Sequence, residues 1–269
     1  MNRIDATFAR LKTENRRALM PFLTAGDPDL ATTRALIKEV VARGASLVEV
    51  GLPYSDPIAD GPVIAASYTR ALRKGVKQAE ILDMAKSLRD EGAIGETPLV
   101  AMGSYAILHR QGVEPFLRQL AASGFDGLIV PDLPVEESEH LAKLAAGLDL
   151  KLIQLVTPTT PRERALAIAR LTTGFIYYVS VAGITGERKA LPPELAENVA
   201  WLRTQTNLPV CIGFGIGSAE QVKALAPSAD GLIVGSALVR RLADAEGKPR
   251  AEVVADVGRF IAELAGSLG

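Results

Sequence analysis

The stretch VEVGLPYSDPIADGP, residues 48–62, contains the pattern that decides the fold of this chain. It begins as a short apolar run and then breaks into prolines, glycines and carboxylates, as a buried strand followed by a loop does. One acid, Glu49, lies inside the apolar run, where an ionised side chain is costly to bury. The stretch therefore predicts one strand and the loop that leaves it, with an acid in an unusual place.

Seven other apolar runs of this kind occur along the chain. Most are continuous rather than alternating and rich in branched residues, which is typical of strands in a parallel sheet that is covered on both faces. With the run above, they cover residues 18–26, 46–53, 97–105, 125–134, 150–158, 174–183, 208–215 and 229–237. The sequence therefore predicts eight buried strands.

Amphipathic segments lie between the runs. In residues 27–44 the apolar residues recur at helical spacing, with Asp27 as the predicted N-cap, Pro28 at the first helical position and Gly44 at the end. Similar segments occupy residues 112–124, 134–147 and 251–269. Eight strand–helix units predict a (β/α)8 barrel of the TIM type, as a single domain over residues 1–269. A doubly wound open sheet is the alternative that the pattern alone leaves open.

Composition narrows the class of protein. The 269 residues carry 30 basic and 31 acidic side chains, so no excess of positive charge points to a nucleic-acid partner. No apolar run reaches the roughly 18 residues that a membrane span needs. One cysteine, Cys211, excludes an internal disulfide, and the first twenty residues lack the apolar core of a signal peptide. A cytoplasmic location is expected.

Chemistry in a barrel of this kind is expected where the strands end and the following loops begin. Glu49 lies near the end of the second strand, on the same side as Leu47 and Gly51. Burial should raise its pKa, which suits a general acid or base near neutrality, although a structural acid with a buried partner would look the same. Asp60, in the loop that follows, is either a second catalytic acid or a turn former.

Glycine-rich turns follow the last two predicted strands. GFGIGS, residues 213–218, and GSALV, residues 235–239, each precede a helix, and such a helix start can bind phosphate through backbone N–H groups. The alternative is that these glycines only allow tight turns. The segment 181–194 is either a lid that closes over a substrate or an ordinary long loop.

The residues that several other chemistries need are missing from the strand ends. His109 and His140 fall in helical segments, so with Cys211 they form no metal site. Lys151 begins a strand and Lys189 lies in the 181–194 loop, so a Schiff-base lysine is absent. No dinucleotide-binding motif is present. The sequence therefore predicts proton transfer on a small phosphorylated substrate without a metal.

Six segments, in order, resemble the successive motifs of the tryptophan synthase α subunit family. They are FLTAGDPD (22–29), VEVGLPYSDPIADGP (48–62), VPDLPVEES (130–138), GITGE (183–187), GFGI (213–216) and GSA (235–237). The resemblance implies a (β/α)8 barrel that cleaves indole-3-glycerol phosphate to indole and glyceraldehyde 3-phosphate, a lyase reaction of tryptophan biosynthesis.

The resemblance also implies which residues form the site. The catalytic acids of the family correspond to Glu49 and Asp60, and the threonine of its lid corresponds to Thr185. The phosphate-binding backbone corresponds to Gly186, Gly215, Gly235 and Ser236. The indole-binding positions correspond to Phe22, Met102, Ile129, Leu155, Tyr177 and Phe214.

On this reading Glu49 gives a proton to the indole ring and then takes one from the glycerol hydroxyl, while Asp60 holds the indole N–H. The family implies an α2β2 heterotetramer in which a β subunit binds pyridoxal phosphate, with no cofactor in this chain. A free-standing indole-glycerol-phosphate lyase and a non-catalytic regulatory barrel are the alternatives. One departure is Ala106, which stands where the family usually has an asparagine.

Overall fold

The computed structural model describes residues 1–179, 193–213 and 215–268. Their strands are β1 (Ala18–Thr24), β2 (Val48–Gly51), β3 (Leu99–Met102), β4 (Gly127–Ile129), β5 (Lys151–Ile153), β6 (Leu155–Val156), β7 (Ile176–Val179), β8 (Val210–Gly213) and β9 (Gly231–Val234). The helices are α1 (Arg3–Thr13), α2 (Leu30–Ala42), α3 (Pro62–Arg73), α4 (Gln78–Asp90), α5 (Tyr105–Gln111), α6 (Val113–Ala122), α7 (Ser138–Gly147), α8 (Arg162–Leu171), α9 (Pro193–Gln205), α10 (Ala219–Leu225), α11 (Ser236–Asp244) and α12 (Arg250–Ala265).

The strands form one parallel sheet in the order β5-β4-β3-β2-β1-β9-β8-β7-β6. Only Gln154 separates β5, which pairs with β4, from β6, which pairs with β7. The Tyr177 N–H, on β7, donates to the Gln154 carbonyl at 3.1 Å. β5 and β6 are therefore two halves of one strand that changes partner at Gln154, and the sheet closes. The predicted eight-stranded barrel is confirmed, and the open sheet is excluded.

Apolar side chains pack in two layers on either side of the barrel wall. One layer fills the interior, where Met20, Leu47 and Val100 meet. The other lies between the strands and the surrounding helices. Helix α1 covers the end of the barrel where the strands begin, and the ring centroid of its Phe8 lies 5.7 Å from that of Phe175. The opposite end, where the strands finish, remains for a site.

Buried charges are paired at the end of the barrel that α1 covers. The carboxylate of Asp126 accepts hydrogen bonds from Arg3 Nη1 at 2.9 Å, Arg89 Nη2 at 2.8 Å and the Leu99 N–H at 2.9 Å. Lys151 pairs with Asp5 at 2.6 Å at the start of β5. Because Lys151 is at this end, it is far from the strand ends where a Schiff-base lysine would be needed, as the sequence predicted.

The prediction that Asp27 is the N-cap of the first barrel helix was wrong. Helix α2 begins at Leu30, and its N-cap is Asp29, whose side chain accepts the Thr32 N–H at 2.7 Å. Asp27 is buried and accepts two hydrogen bonds from Arg70 of α3, from Nε at 2.9 Å and from Nη2 at 2.6 Å. A tertiary ion pair therefore took the side chain that local spacing assigned to capping. This pair holds α3 against the loop that leaves β1.

We expect Arg70→Ala to destabilise the fold by about 2–4 kcal/mol, because it leaves a buried carboxylate at Asp27 without its partner. Arg73→Ala, on the exposed side of the same helix, is the matched control and should change stability by less than about 0.5 kcal/mol. Urea denaturation followed by circular dichroism measures both. Equal stabilities of the two variants would contradict the role given to the Asp27–Arg70 pair.

Candidate active site

Glu49 lies in the middle of β2, with Phe22 of β1 and Val100 of β3 as its register neighbours. Its side chain is fully buried, and neither carboxyl oxygen has a hydrogen-bond partner among the residues that the structure describes. Burial raises its pKa from 4.5 to about 8, because a charge without partners is poorly solvated in the barrel interior. The predicted rise in this pKa is confirmed, and Glu49 is protonated at neutral pH.

Asp60 lies in the loop that follows β2 and is partly buried. Its pKa is raised from 3.8 to about 6, first by burial and then by the negative charge of Asp132. At neutral pH it is therefore a carboxylate, whereas Glu49 carries its proton. Two acids in different environments can divide the roles of proton donor and charge stabiliser.

Two tyrosines lie near these acids. Burial, followed by the negative charges of Asp60 and Glu49, raises the pKa of Tyr68 well above 10, and the same two carboxylates act on Tyr177. Tyr68 is 1% exposed, and its hydroxyl has no hydrogen-bond partner within the described part of the chain. Sequence reasoning missed Tyr68, because its helical spacing in α3 indicated only a core position.

The predicted indole-binding positions in the described residues all lie on the inner side of the barrel. They are Phe22, Met102, Ile129, Leu155 and Tyr177. The ring of Phe22 covers Gly51, where a Cβ atom would lie 2.5 Å from Cζ of that ring. Gly51 is thus required by this close approach. Phe214 lies outside the described residues, and an indole-binding role of the whole set stays a prediction.

The predicted phosphate positions follow two neighbouring strands, since β8 pairs with β9. Gly215 has a φ of +79°, in the left-handed region that glycine tolerates, and among the described residues no atom beyond its chain neighbours lies within 4 Å of where a Cβ would be. Gly235 is the N-cap of α11 and Ser236 its first residue, and no side chain in the described part of the chain caps that helix. Its first N–H groups can therefore bind an anion. Thr185, Gly186 and the 181–194 loop except for its last residues lie outside the described residues.

Asp132 belongs to the mouth of the barrel, although sequence reasoning assigned it no role. It follows β4, and its carboxylate accepts hydrogen bonds from Ser104 Oγ at 2.5 Å and from the Tyr105 N–H at 2.8 Å. The signal that could have found it was its position at a strand end, in the segment VPDLP. Ala106 lies in the first turn of α5, where its N–H donates to Ser104 Oγ at 3.2 Å.

The histidines take no part in this mouth. His109 on α5 and His140 on α7 are exposed, whereas Cys211 is buried in the barrel interior. No group of three His, Cys, Asp or Glu side chains is placed to hold a metal ion in residues 1–179, 193–213 and 215–268. None of the helices in those ranges is long and apolar enough to cross a membrane.

The chemistry that this mouth supports is proton transfer on a small anionic substrate. A protonated acid, Glu49, and a carboxylate, Asp60, both act on Tyr68 and Tyr177. The uncapped start of α11 lies against Phe22, the register neighbour of Glu49. This arrangement defines the class as a barrel enzyme that makes or breaks bonds by acid–base chemistry.

Comparison with known proteins gives the family. The family model described as tryptophan synthase alpha chain matches residues 8–265. A tryptophan synthase alpha chain from Rhodopirellula baltica is 53% identical over 266 residues, which cover 99% of this chain and 95% of that protein. The chain therefore belongs to the tryptophan synthase alpha chain family. Members of this family cleave indole-3-glycerol phosphate, which is a lyase activity of tryptophan biosynthesis.

Solved structures agree with this assignment. The tryptophan synthase subunit alpha of Legionella pneumophila superposes with a TM-score of 0.90 at 34% identity, over 100% of this chain and 98% of that chain. A chain of tryptophan synthase from M. tuberculosis, in an aminoacrylate-bound form, superposes with a TM-score of 0.86 at 32% identity, over 100% of both chains. The barrel and the family are therefore supported independently by structure and by sequence.

Burial of Glu49 should cost stability in alkaline solution. The unfolded chain loses this proton near pH 4.5 and the folded chain only near pH 8, so stability falls between these values as the pH rises. We expect Glu49→Gln, which has no charge to bury, to be more stable than the parent chain at pH 9 by a few kcal/mol. The difference should shrink toward pH 4.

Urea denaturation at pH 4, 6 and 9 measures this difference. Glu252→Gln, which changes an exposed glutamate of α12, is the matched control and should leave the pH dependence unchanged. A constant difference between Glu49→Gln and the parent chain at all three pH values would show that the folded barrel does not raise the pKa of Glu49.

Proposed function

We propose that the mouth of this barrel cleaves indole-3-glycerol phosphate by a retro-aldol reaction, with Glu49 as the acid and base and Asp60 as the carboxylate that holds the indole N–H. The observation that carries this proposal is the buried carboxyl of Glu49, which has no hydrogen-bond partner among the described residues and keeps its proton at neutral pH. A structural acid would be paired, since an unpaired buried acid only costs stability.

The first step is the transfer of the Glu49 proton to C3 of the indole ring. The ring becomes a cationic indolenine, with its positive charge centred on the nitrogen. Asp60 stays a carboxylate above pH 6 and accepts the ring N–H, so it stabilises the charge that develops there. A proton donor whose pKa is near 8 suits this transfer, because it is protonated at neutral pH and yet a stronger acid than water.

The second step breaks the bond between the ring and the glycerol chain. Glu49, now a carboxylate, removes the proton of the hydroxyl on the adjacent carbon, and that carbon becomes the aldehyde of glyceraldehyde 3-phosphate. The electrons of the broken bond return to the ring and neutralise the indolenine, which leaves as indole. Glu49 ends the cycle protonated, so the step needs no other reactant.

Binding would be divided between an apolar and a polar part of the mouth. Phe22, Met102 and Tyr177 offer apolar surface for the ring. Gly235 is close to this surface, because a Cβ atom built on it would lie 3.6 Å from Cβ of Phe22. The helix start at Ser236 would therefore bind the phosphate next to the ring. Holding both ends of the substrate would fix the reacting carbon near Glu49.

A β subunit is the proposed partner, in an α2β2 assembly, because the matched M. tuberculosis structures are of tryptophan synthase. Pyridoxal phosphate would belong to that subunit, since the steps above use only side chains of this chain. The loop 53–60 is the proposed contact, because its Ile58 is a large apolar side chain that is 79% exposed. A role in amino-acid biosynthesis also supports the cytoplasmic location expected from the sequence.

The direct test is the release of indole from indole-3-glycerol phosphate. We expect Glu49→Gln to fold but to lose at least about 100-fold in kcat, because an amide supplies no proton. Glu252→Gln, on the exposed face of α12, should keep full activity. The same assay with and without a β subunit separates an α2β2 enzyme from a free-standing lyase. Normal turnover by Glu49→Gln would refute the assigned role.

The reaction should have a bell-shaped pH profile. Activity requires Asp60 as a carboxylate and Glu49 as an acid, so kcat/KM should fall below about pH 6 and above about pH 8. Asp60→Asn should lower kcat/KM and remove the fall on the acid side. A profile that stays flat from pH 5 to pH 9 would contradict both assignments.

A further inference from the structure

We propose that Asp132 is a positioning residue for this reaction, which fixes the wall of the mouth and holds a second carboxylate beside Asp60. The inference rests on the proposed function, because it concerns the acid that would hold the indole N–H. Asp132 touches none of the reacting atoms in this scheme, and it acts at a distance, through its charge on Asp60 and on the cation that forms beside Asp60.

Hydrogen bonds fix the carboxylate of Asp132. Its Oδ2 accepts the hydroxyl of Ser104 at 2.5 Å, and its Oδ1 accepts the N–H of Tyr105 at 2.8 Å. Ser104 in turn is the N-cap of α5, because its Oγ accepts the N–H of Ala106. Asp132 therefore ties the loop after β4 to the start of the helix after β3, and neither carboxyl oxygen is free to turn away.

The loop that carries Asp60 closes against this wall. A small cleft is lined on one side by the loop 57–60 and on the other by Met102, Ser104 and Asp132. Three consecutive strand–helix loops thus meet at one point of the mouth. Asp132 lies at that point with its carboxylate held, so its distance from Asp60 is set by backbone elements rather than by a mobile side chain.

Three ionisable groups of the described residues act on Asp60 or are acted on by it. They are Asp132 from the loop after β4, Tyr68 from α3 and Tyr177 from β7, and Glu49 from β2 acts on the same two tyrosines. The two tyrosines are neutral at pH 7, and Glu49 holds its proton. Asp132 is therefore the fixed charge that Asp60 meets at the start of the reaction, and it raises the proton affinity of Asp60 in addition to burial.

This repulsion has a use in the reaction. The electrostatic energy of two negative charges held close together falls when a positive charge appears between or beside them. The cationic indolenine is therefore stabilised by both carboxylates. The neutral substrate ring gains less. The interaction is therefore stronger in the charged intermediate than in the ground state, which is the condition for a faster chemical step. Its cost is that Asp60 becomes protonated in mildly acidic solution.

The test compares the pH profile of kcat/KM for indole release between the parent chain and Asp132→Asn. The asparagine keeps the size of the side chain but has no charge. Its Oδ1 can still accept the Tyr105 N–H, and its amide NH2 can donate to Ser104 Oγ in place of the bond that Oδ2 accepted. We expect the acid limb to move to lower pH by roughly half a unit or more, because Asp60 then loses its proton more easily. The plateau value of kcat/KM should fall about threefold, which is the factor that corresponds to half a pKa unit.

Glu136→Gln is the matched control, since it removes one negative charge from the same segment at an exposed position paired with Arg164. Its acid limb should coincide with that of the parent chain. Asp132→Glu, which restores the charge, should return the limb toward its original position. Asp132→Ser is measured beside Asp132→Asn, because its hydroxyl can still accept the Tyr105 N–H, and circular dichroism shows which variant folds.

An acid limb that does not move in a folded, neutral variant of Asp132 overturns the inference, even when the plateau falls. A merely structural role would lower the amplitude and leave the limb in place. The two proposals fail in different ways. If the parent chain releases no indole, either alone or with a β subunit, the proposed function is refuted. If the parent chain is active but the acid limb of Asp132→Asn coincides with that of the parent chain, only the role of Asp132 is refuted.

Discussion

A fully buried carboxyl group, with no hydrogen-bond partner among the described residues, is the constraint on which the rest of this structure depends. Nothing in the described residues compensates Glu49, so its ionised form is unfavourable and its proton is retained near neutrality. A packed barrel can hold such a group, because dozens of apolar contacts in two layers outweigh the local cost. The packed fold provides the stability that offsets the unfavourable burial of this acid.

The mouth is assembled from elements that are distant in the chain but adjacent in the barrel. Glu49 comes from β2, Tyr177 from β7 and Ser236 from the start of α11, and the closed sheet brings them to one end. Closure itself depends on one residue, Gln154, at which a strand leaves one neighbour and joins the next. The site is thus a consequence of register, since a shift of one residue in β2 would turn Glu49 toward the helices.

Much of this could be predicted from the sequence, because the relevant signals are local. Continuous apolar runs marked the strands, and the position of an acid within such a run marked Glu49. The errors and omissions arose from contacts between distant segments. Asp27 was assigned to a helix cap because its partner Arg70 lies 43 residues away. Tyr68 resembled an ordinary core residue of α3, and Asp132 acquires its meaning only from Ser104 and Asp60 across two loops.

The end of the barrel opposite the mouth has its own polar centre, in which Asp126 is held by Arg3, Arg89 and a backbone N–H. This centre fastens α1, α4 and the starts of two strands without using any residue of the mouth. Natural selection can therefore alter the loops that contact substrate while the opposite end of the barrel stays intact. Such a division of labour between the two ends makes the scaffold evolvable, and it accounts for how barrels of one architecture come to host unrelated reactions.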